Sequence, residues 1–251
     1  MIVFGRNPVR EALRSGRSIE RVWVERGLTD GSIRELVRLA RGQKRIVAEV
    51  SREKLDELCL GYGHDGRPGH HQGIAARLPS VEYVGLGDIL SFAEEKGEPP
   101  LVLLLDAITD PENLGSILRS AECFGVHGVV LPERRSAGVT PAVVRASAGA
   151  ALHVPVARVT NMTNAIRELK KAGLWIICAD TEGQPAHTID CKGPAALVIG
   201  AEGGGVSRLV KENCDFIASI GMKGKTRSLN AAVAAAVLLY EKRRQESAGA
   251  K

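Results

Sequence analysis

Between Leu101 and Arg244 the chain alternates short aliphatic runs with stretches of helical periodicity, and few folds accommodate that alternation. Leu101 to Leu105 is a continuous aliphatic run, as expected of a parallel strand covered on both faces. Asp110 then supplies an N-cap, Pro111 a first-turn proline and Gly125 a stop about four turns later. On a helical wheel Leu114, Ile117, Leu118, Ala121 and Phe124 share a face, with Ser116 and Arg119 turned away from it. The pattern continues as strands at Gly128–Leu131, His153–Val156, Leu174–Ala179, Ala196–Gly200 and Phe216–Ile220. Helices are expected at Thr140–Ala146, Asn161–Ala172, Ser207–Asn213 and Ser228–Arg244, the last with Ser228 as its N-cap. Strand and helix in turn imply a parallel sheet with helices on both faces, which binds ligands beyond the carboxyl ends of its strands.

Two of those ends carry unusual sequence. Leu197-Val198-Ile199-Gly200 leads into Ala201-Glu202-Gly203-Gly204-Gly205-Val206-Ser207, whose glycines permit close backbone approach to a ligand. Position 208 is Arg, so the dinucleotide fingerprint G-x-G-x-x-G is absent. Further on, Gly224-Lys225-Thr226 imitates the end of a P-loop, but its leading glycine would fall at Ser219. The 25 residues after Thr226 are too few for the rest of a nucleotide-hydrolysing sheet.

The front third has a different character. Residues 1–80 hold 15 Lys and Arg against 10 Asp and Glu, and 13 of those cations are Arg; residues 81–251 balance at 19 and 19. Arginine suits bidentate phosphate contact, so a polyanionic partner is expected there. Aromatic residues, at 4%, are too few for base-stacking platforms. A strand at Arg21–Val24, a helix at Gly31–Arg41, a strand at Arg45–Val50 and a helix capped by Ser51 follow an entry helix over Gly5–Ser15. A glycine-rich loop over 61–69 leads to a last strand at His71–Ala76, giving a compact α/β/α unit. Pro79 and Ser80 mark a linker, and a helix over Asp88–Lys96 opens the second unit. The expected division is 1–78, a linker 79–84, and 85–251.

Five cysteines, with no C-x-x-C and no histidine at metal spacing, read as reduced thiols, with neither a structural metal nor a disulfide framework. Arg6 and Asn7 interrupt the apolar start, and the longest apolar run, Leu229 to Tyr240, is far short of a membrane span. A soluble, cytoplasmic protein is expected.

The segment Asp110-Pro111-x-Asn113-x-Gly115-x-x-x-Arg119-x-Ala121, closed by Phe124-Gly125, resembles the first signature of the SpoU/TrmH group of RNA ribose 2′-O-methyltransferases, in the SPOUT superfamily. Ile199-Gly200-Ala201-Glu202-Gly203-x-Gly205-Val206-Ser207 resembles the second, and Ile220-Gly221-Met222-x-Gly224 with Ser228-Leu229-Asn230 the third. The chain departs from the third at Gly221, where the family usually has Pro, and at Ala231-Ala232, where Val-Ser is common. The first departure loosens the turn around the cofactor without removing a functional group. The start, Val3 to Leu13, and the stretch His71 to Ala75 are similar to the ends of the substrate-binding domain of RlmB-type members.

The resemblance implies a fold in two parts, a small α/β/α RNA-binding domain and a parallel-sheet α/β domain tied in a deep trefoil knot. It implies S-adenosylmethionine as cofactor, a homodimer, and RNA rather than DNA as substrate, with a guanosine of 23S ribosomal RNA favoured. Transfer RNA, another ribosomal site, or a non-catalytic RNA-binding role are the alternatives. Carried over position by position, the catalytic cluster is Asn113, Arg119, Glu202, Ser228 and Asn230. Gly200, Ile220, Met222 and Leu229 would contact the cofactor. The family's proposed base is Arg119; because a guanidinium stays protonated, we read that residue as gripping RNA phosphate and stabilising the developing alkoxide.

Overall fold

The front of the chain folds as β1 (Ile2–Phe4), α1 (Arg6–Arg14), β2 (Arg21–Glu25), α2 (Gly31–Gly42), β3 (Val47–Val50), α3 (Arg52–Leu58) and β4 (Ile74–Arg77). Side chains cap the helices as expected: Asp30 Oδ1 accepts from Ile33 N at 3.0 Å, and Ser51 Oγ from Lys54 N at 3.4 Å. The strands order as β1-β4-β2-β3, with β4 antiparallel to both neighbours and β2 parallel to β3. Alternation along β2 sends Trp23 to one face, where it packs with Phe4, Ala75, Leu55 of α3 and Cys59 just after that helix. Helices α1 and α2 contact each other and the sheet. In this computed structural model the described residues are 1–16, 18–28, 30–62, 67–79, 81–226 and 228–248. Residues 63–66 of the glycine-rich loop, Ser80 of the linker and Arg227 of the third signature lie outside them.

This unit, Met1–Glu82, also includes Gly138–His153, although the alternation of strands and helices places that segment with the second unit. That return segment holds α6, numbered in chain order below, and a 3-10 turn at Ala150–Leu152. Arg145 on the helix donates to the Tyr62 carbonyl at 2.5 Å and lies over the Phe4 ring. Gly149 sits at φ 97°, and a Cβ there would come within 2.4 Å of Glu11 Cβ, so the approach requires glycine. Apolar periodicity alone does not encode that destination.

The second unit, Tyr83–Ala137 with Val154 onward, runs α4 (Leu86–Glu95), β5 (Leu101–Asp106), α5 (Pro111–Cys123) and β6 (Gly128–Pro132). After the departure through α6 (Pro141–Ala146) it resumes with β7 (Val156–Val159), α7 (Met162–Lys171), β8 (Trp175–Pro185), β9 (Ala195–Gly200), α8 (Arg208–Glu212), β10 (Phe216–Ser219) and α9 (Ala231–Ala248). All five pairings in the order β10-β8-β9-β5-β6-β7 are parallel. On one face Val102 and Leu104 of β5 join Ile89 of α4, Ile166 and Leu169 of α7 and Val210 of α8 in a buried cluster. On the other, α5 and α9 pack together, α5 burying Leu114, Ile117, Leu118 and Ala121 as the wheel requires. Each Val, Leu or Ile among these contributes about 1.5–3 kcal/mol on burial.

Four local expectations are corrected. The strand read at His153–Val156 lies instead at Val156–Val159, because the 3-10 turn and Pro155, which has no N–H, delay its start. The helix read from Asp88 begins at Leu86, with Asp88 reaching back so that Gly85 N donates to its Oδ2 at 2.8 Å. Strand β8 continues past Ala179 to Pro185. The last helix begins at Ala231, and its cap is Asn230 rather than Ser228: Asn230 Oδ1 accepts from Ala232 N at 2.9 Å and Val233 N at 3.3 Å.

Candidate active site

The carboxyl ends of β9 and β10, the middle of β8 and the amino end of α9 meet around one pocket. Strands β5 and β9 are in register to their last residues, Asp106 opposite Gly200. From Gly200 the chain folds back on itself: Ala201 N donates to Gly205 O at 3.1 Å and Gly205 N to Ala201 O at 2.9 Å. Gly203 at φ 78° and Gly205 at φ 61° take left-handed conformations that ordinary side chains resist. Ser207 N donates to Asp106 Oδ2 at 2.8 Å, tying the far end of the loop to β5. The result is a small closed hairpin presenting Glu202 at its exposed tip.

The other side of the pocket comes from an irregularity in β8. Its pairing with β10 jumps from Cys178 opposite Ile217 to Gln184 opposite Ala218, so residues 179–183 leave the ladder. Ala179, Asp180 and Thr181 thereby line the pocket. Burial alone would raise the Asp180 carboxyl, but Lys211, 2.6 Å away, and two backbone N–H donors hold it below its ordinary value.

Asn113 and Asn230 join the site through caps. Asp110 accepts from Glu112 N and Asn113 N at 3.3 and 3.1 Å, fixing the first turn of α5 and so placing Asn113. Asn230 caps α9 through Oδ1, which directs its Nδ2 outward to Asn113 Oδ1 at 2.8 Å and, by a shorter bond, to Glu202 Oε1. Three of the five residues expected in the catalytic cluster are therefore directly bonded, from three separate elements. Ser228 lines the pocket beside them. Arg119 lies about 9 Å further along α5 than Asn113; it is exposed, with no hydrogen bond or ion pair to a described residue.

The pocket measures about 400 Å³, within the range of small-molecule sites. Ile199, Ala218, Ile220, Met222 and Leu229 supply apolar wall, the backbone of 200–205 supplies polar groups, and Glu202 and Asp180 supply carboxylates. All four residues expected to contact a cofactor, Gly200, Ile220, Met222 and Leu229, line it. A flat heterocycle bearing a positively charged substituent suits such walls, and S-adenosylmethionine is such a molecule. Sequence reasoning missed Asp106, Asp180 and Thr181. The available signal was position alone, Asp106 lying at the carboxyl end of β5, and Asp180 and Thr181 just beyond the strand that the sequence predicts at Leu174–Ala179. Among the described residues no three His, Cys, Asp or Glu side chains cluster at metal-binding distance, and the five cysteines are unpaired, burial pushing Cys59 up to about 12.

The family model of the SpoU rRNA methylases matches residues 100–240, and that of the RNA 2′-O ribose methyltransferase substrate-binding domain matches residues 2–84. YacO of Bacillus subtilis (strain 168), named for the TrmH family of tRNA/rRNA methyltransferases, is 43% identical over 240 residues, 95% of this chain and 93% of its own length. The crystal structure of the SpoU methyltransferase AviRb from Streptomyces viridochromogenes, in complex with AdoMet, is similar with a TM-score of 0.79. It is 28% identical, over 99% of this chain and 91% of that one. A structure that gives insights into the 2-OH methylation of C/U34 on tRNA is also similar, over 60% of this chain and 98% of that one, at 26% identity and a TM-score of 0.54. The chain belongs to the SpoU/TrmH family and is an S-adenosylmethionine-dependent RNA methyltransferase.

Proposed function

We propose that the protein methylates the ribose 2′-hydroxyl of a guanosine in 23S ribosomal RNA, at the site where Asn113, Glu202 and Asn230 converge. The observation that carries this reading is the bonded trio at the mouth of the pocket. When bound, S-adenosylmethionine supplies an electrophilic methyl on a sulfonium. Gly200, Ile220, Met222 and Leu229 would hold it along the pocket wall, and the Glu202 carboxylate would offset its positive charge. A ribose hydroxyl is a weak nucleophile, so alignment with the methyl is the main task, and positioning of this kind lowers a barrier by several kcal/mol. Asn113 and Ser228 orient the ribose, Asn230 fixes Glu202 and Asn113 relative to each other, and Arg119 grips phosphate and steadies the developing alkoxide.

The front unit, 1–78, takes the RNA. Supporting this, Arg34, Arg38 and Arg41 stand exposed on α2 at helical spacing and form no ion pair with a described residue. Beyond the linker at 79–84, residues 85–251 form the catalytic part. The homodimer belongs to this reading: Val233, Val237 and Tyr240 are 48%, 38% and 60% exposed in one row along α9. So does the knot, supported by the return of α9 from the sheet edge at β10 to α5 and β9. Ribosomal RNA is favoured by the family model and by the front unit's similarity to RlmB-type members; the tRNA-acting neighbour keeps transfer RNA as the second reading. Tritium transfer from labelled S-adenosylmethionine to undermodified 23S ribosomal RNA and to bulk transfer RNA, run in parallel, tests the substrate. Label in 23S RNA alone is expected; label in transfer RNA alone would overturn the ribosomal assignment.

A further inference from the structure

The loop after β6 carries two cations that the pocket leaves unused. Residues 133–137, Glu-Arg-Arg-Ser-Ala, leave the carboxyl end of β6, which neighbours β5 in the sheet, and so stand on the ligand-binding edge. Four hydrogen bonds fix the loop. Glu133 N donates to Val159 O at 2.9 Å, Arg158 Nη2 to Glu133 O at 2.6 Å, and Ser136 Oγ to Pro132 O at 2.5 Å. The fourth, Ala137 N to Ile108 O at 2.8 Å, reaches the connection between β5 and α5, two residues before the Asp110 cap that places Asn113. Two non-glycine residues flank this contact in left-handed backbone, Ala107 at φ 61° and Arg135 at φ 58°. Such conformations persist where the surroundings over-determine them, and they gather at functional sites. The side chain of Arg135 repays nothing within the chain: it and Arg134 are exposed, with no hydrogen bond or ion pair to a described residue.

A rigid loop thus holds two adjacent guanidiniums, against the single carboxylate of Glu133, beside the start of α5. We propose that Arg135, assisted by Arg134, binds an RNA phosphate next to the ribose being methylated and so sets the register of the strand over the pocket. The guanidinium fork matches a phosphate bidentately, and a loop locked before binding loses little freedom on contact. Arg135 is a positioning residue, and the inference rests on the RNA methyltransferase reading.

The test is Arg135→Gly, because glycine is at ease at φ 58° and removes the side chain without adding strain. Thermal melting, S-adenosylmethionine affinity by calorimetry, and RNA KM over a range of salt would be measured beside wild type and Arg135→Lys. The glycine variant is expected to melt no lower than wild type and to bind the cofactor equally. Its RNA KM should rise at least tenfold with a shallower salt dependence, by about one phosphate contact, and Arg135→Lys should recover part of the loss. An unchanged RNA KM in Arg135→Gly would overturn the proposal, as would loss of cofactor binding along with RNA binding, the mark of a structural role. Wild-type protein that methylates no RNA would instead overturn the functional reading itself.

Discussion

One amide in this protein serves two structures at once. Oδ1 of Asn230 closes the first turn of α9, and Nδ2 is thereby aimed at Glu202 and Asn113. The same economy occurs at His127, buried beside the start of β5. Its Nδ1 accepts from Leu101 N at 3.0 Å, so its proton resides on Nε2, 3.1 Å from Glu98 Oε2. Burial depresses its affinity for a second proton below the ordinary value of 6.5, against the opposing pull of Glu98. Below that value the unfolded chain binds more protons than the folded one, so this residue's share of stability falls as pH drops through about 6.5. Melting temperatures at pH 7.5 and 5.5 should therefore differ more in wild type than in His127→Asn, which keeps an acceptor but does not titrate. Equal pH dependence in the two proteins would contradict this account.

At the scale of elements, the hairpin from Ala201 to Gly205 positions the site and depends on Gly200. A Cβ at Gly200 would lie 2.0 Å from the Gly205 carbonyl carbon and 2.2 Å from Val206 N. Gly200→Ala should cost about 1–3 kcal/mol of local packing and weaken S-adenosylmethionine binding at least tenfold while the sheet stays folded. Calorimetry and circular dichroism on the same sample would show it, and wild-type affinity would refute it. This element was legible in the sequence, because three glycines at the end of an aliphatic strand signal close backbone approach. The alternation of β5, α5 and β6 was legible for the same kind of local reason. The excursion of β8 at 179–183 was not, since a register jump depends on the partner strand. Nor was the identity of the α9 cap: Ser228 and Asn230 both suit an N-cap by composition, and the bonds to Glu202 and Asn113 that engage Asn230 come from residues 28 and 117 positions away. The destination of 138–153 was also hidden, being decided by contacts with Phe4, Glu11 and Tyr62 far earlier in the chain.

For the whole molecule, the proposed reading divides the labour between the basic front third, which would hold RNA, and the neutral remainder, which would transfer the methyl. The exposed row on α9 extends this to assembly. Val237→Glu would place a charge in the middle of that row and should convert a dimer to a monomer in sedimentation velocity; wild-type protein sedimenting as a monomer would remove the dimer from the account. On the proposed reading the pocket delivers a methyl to a ribose oxygen held near Asn113 and Asn230. The most direct measurement is nucleoside analysis of RNA labelled by the wild-type protein and by Asn230→Asp, whose carboxylate would face Glu202 in place of a donor. Label in 2′-O-methylguanosine from wild type, with at least a hundredfold lower rate from Asn230→Asp, is the expected result. Label on a base, or transfer by Asn230→Asp at the wild-type rate, would contradict it.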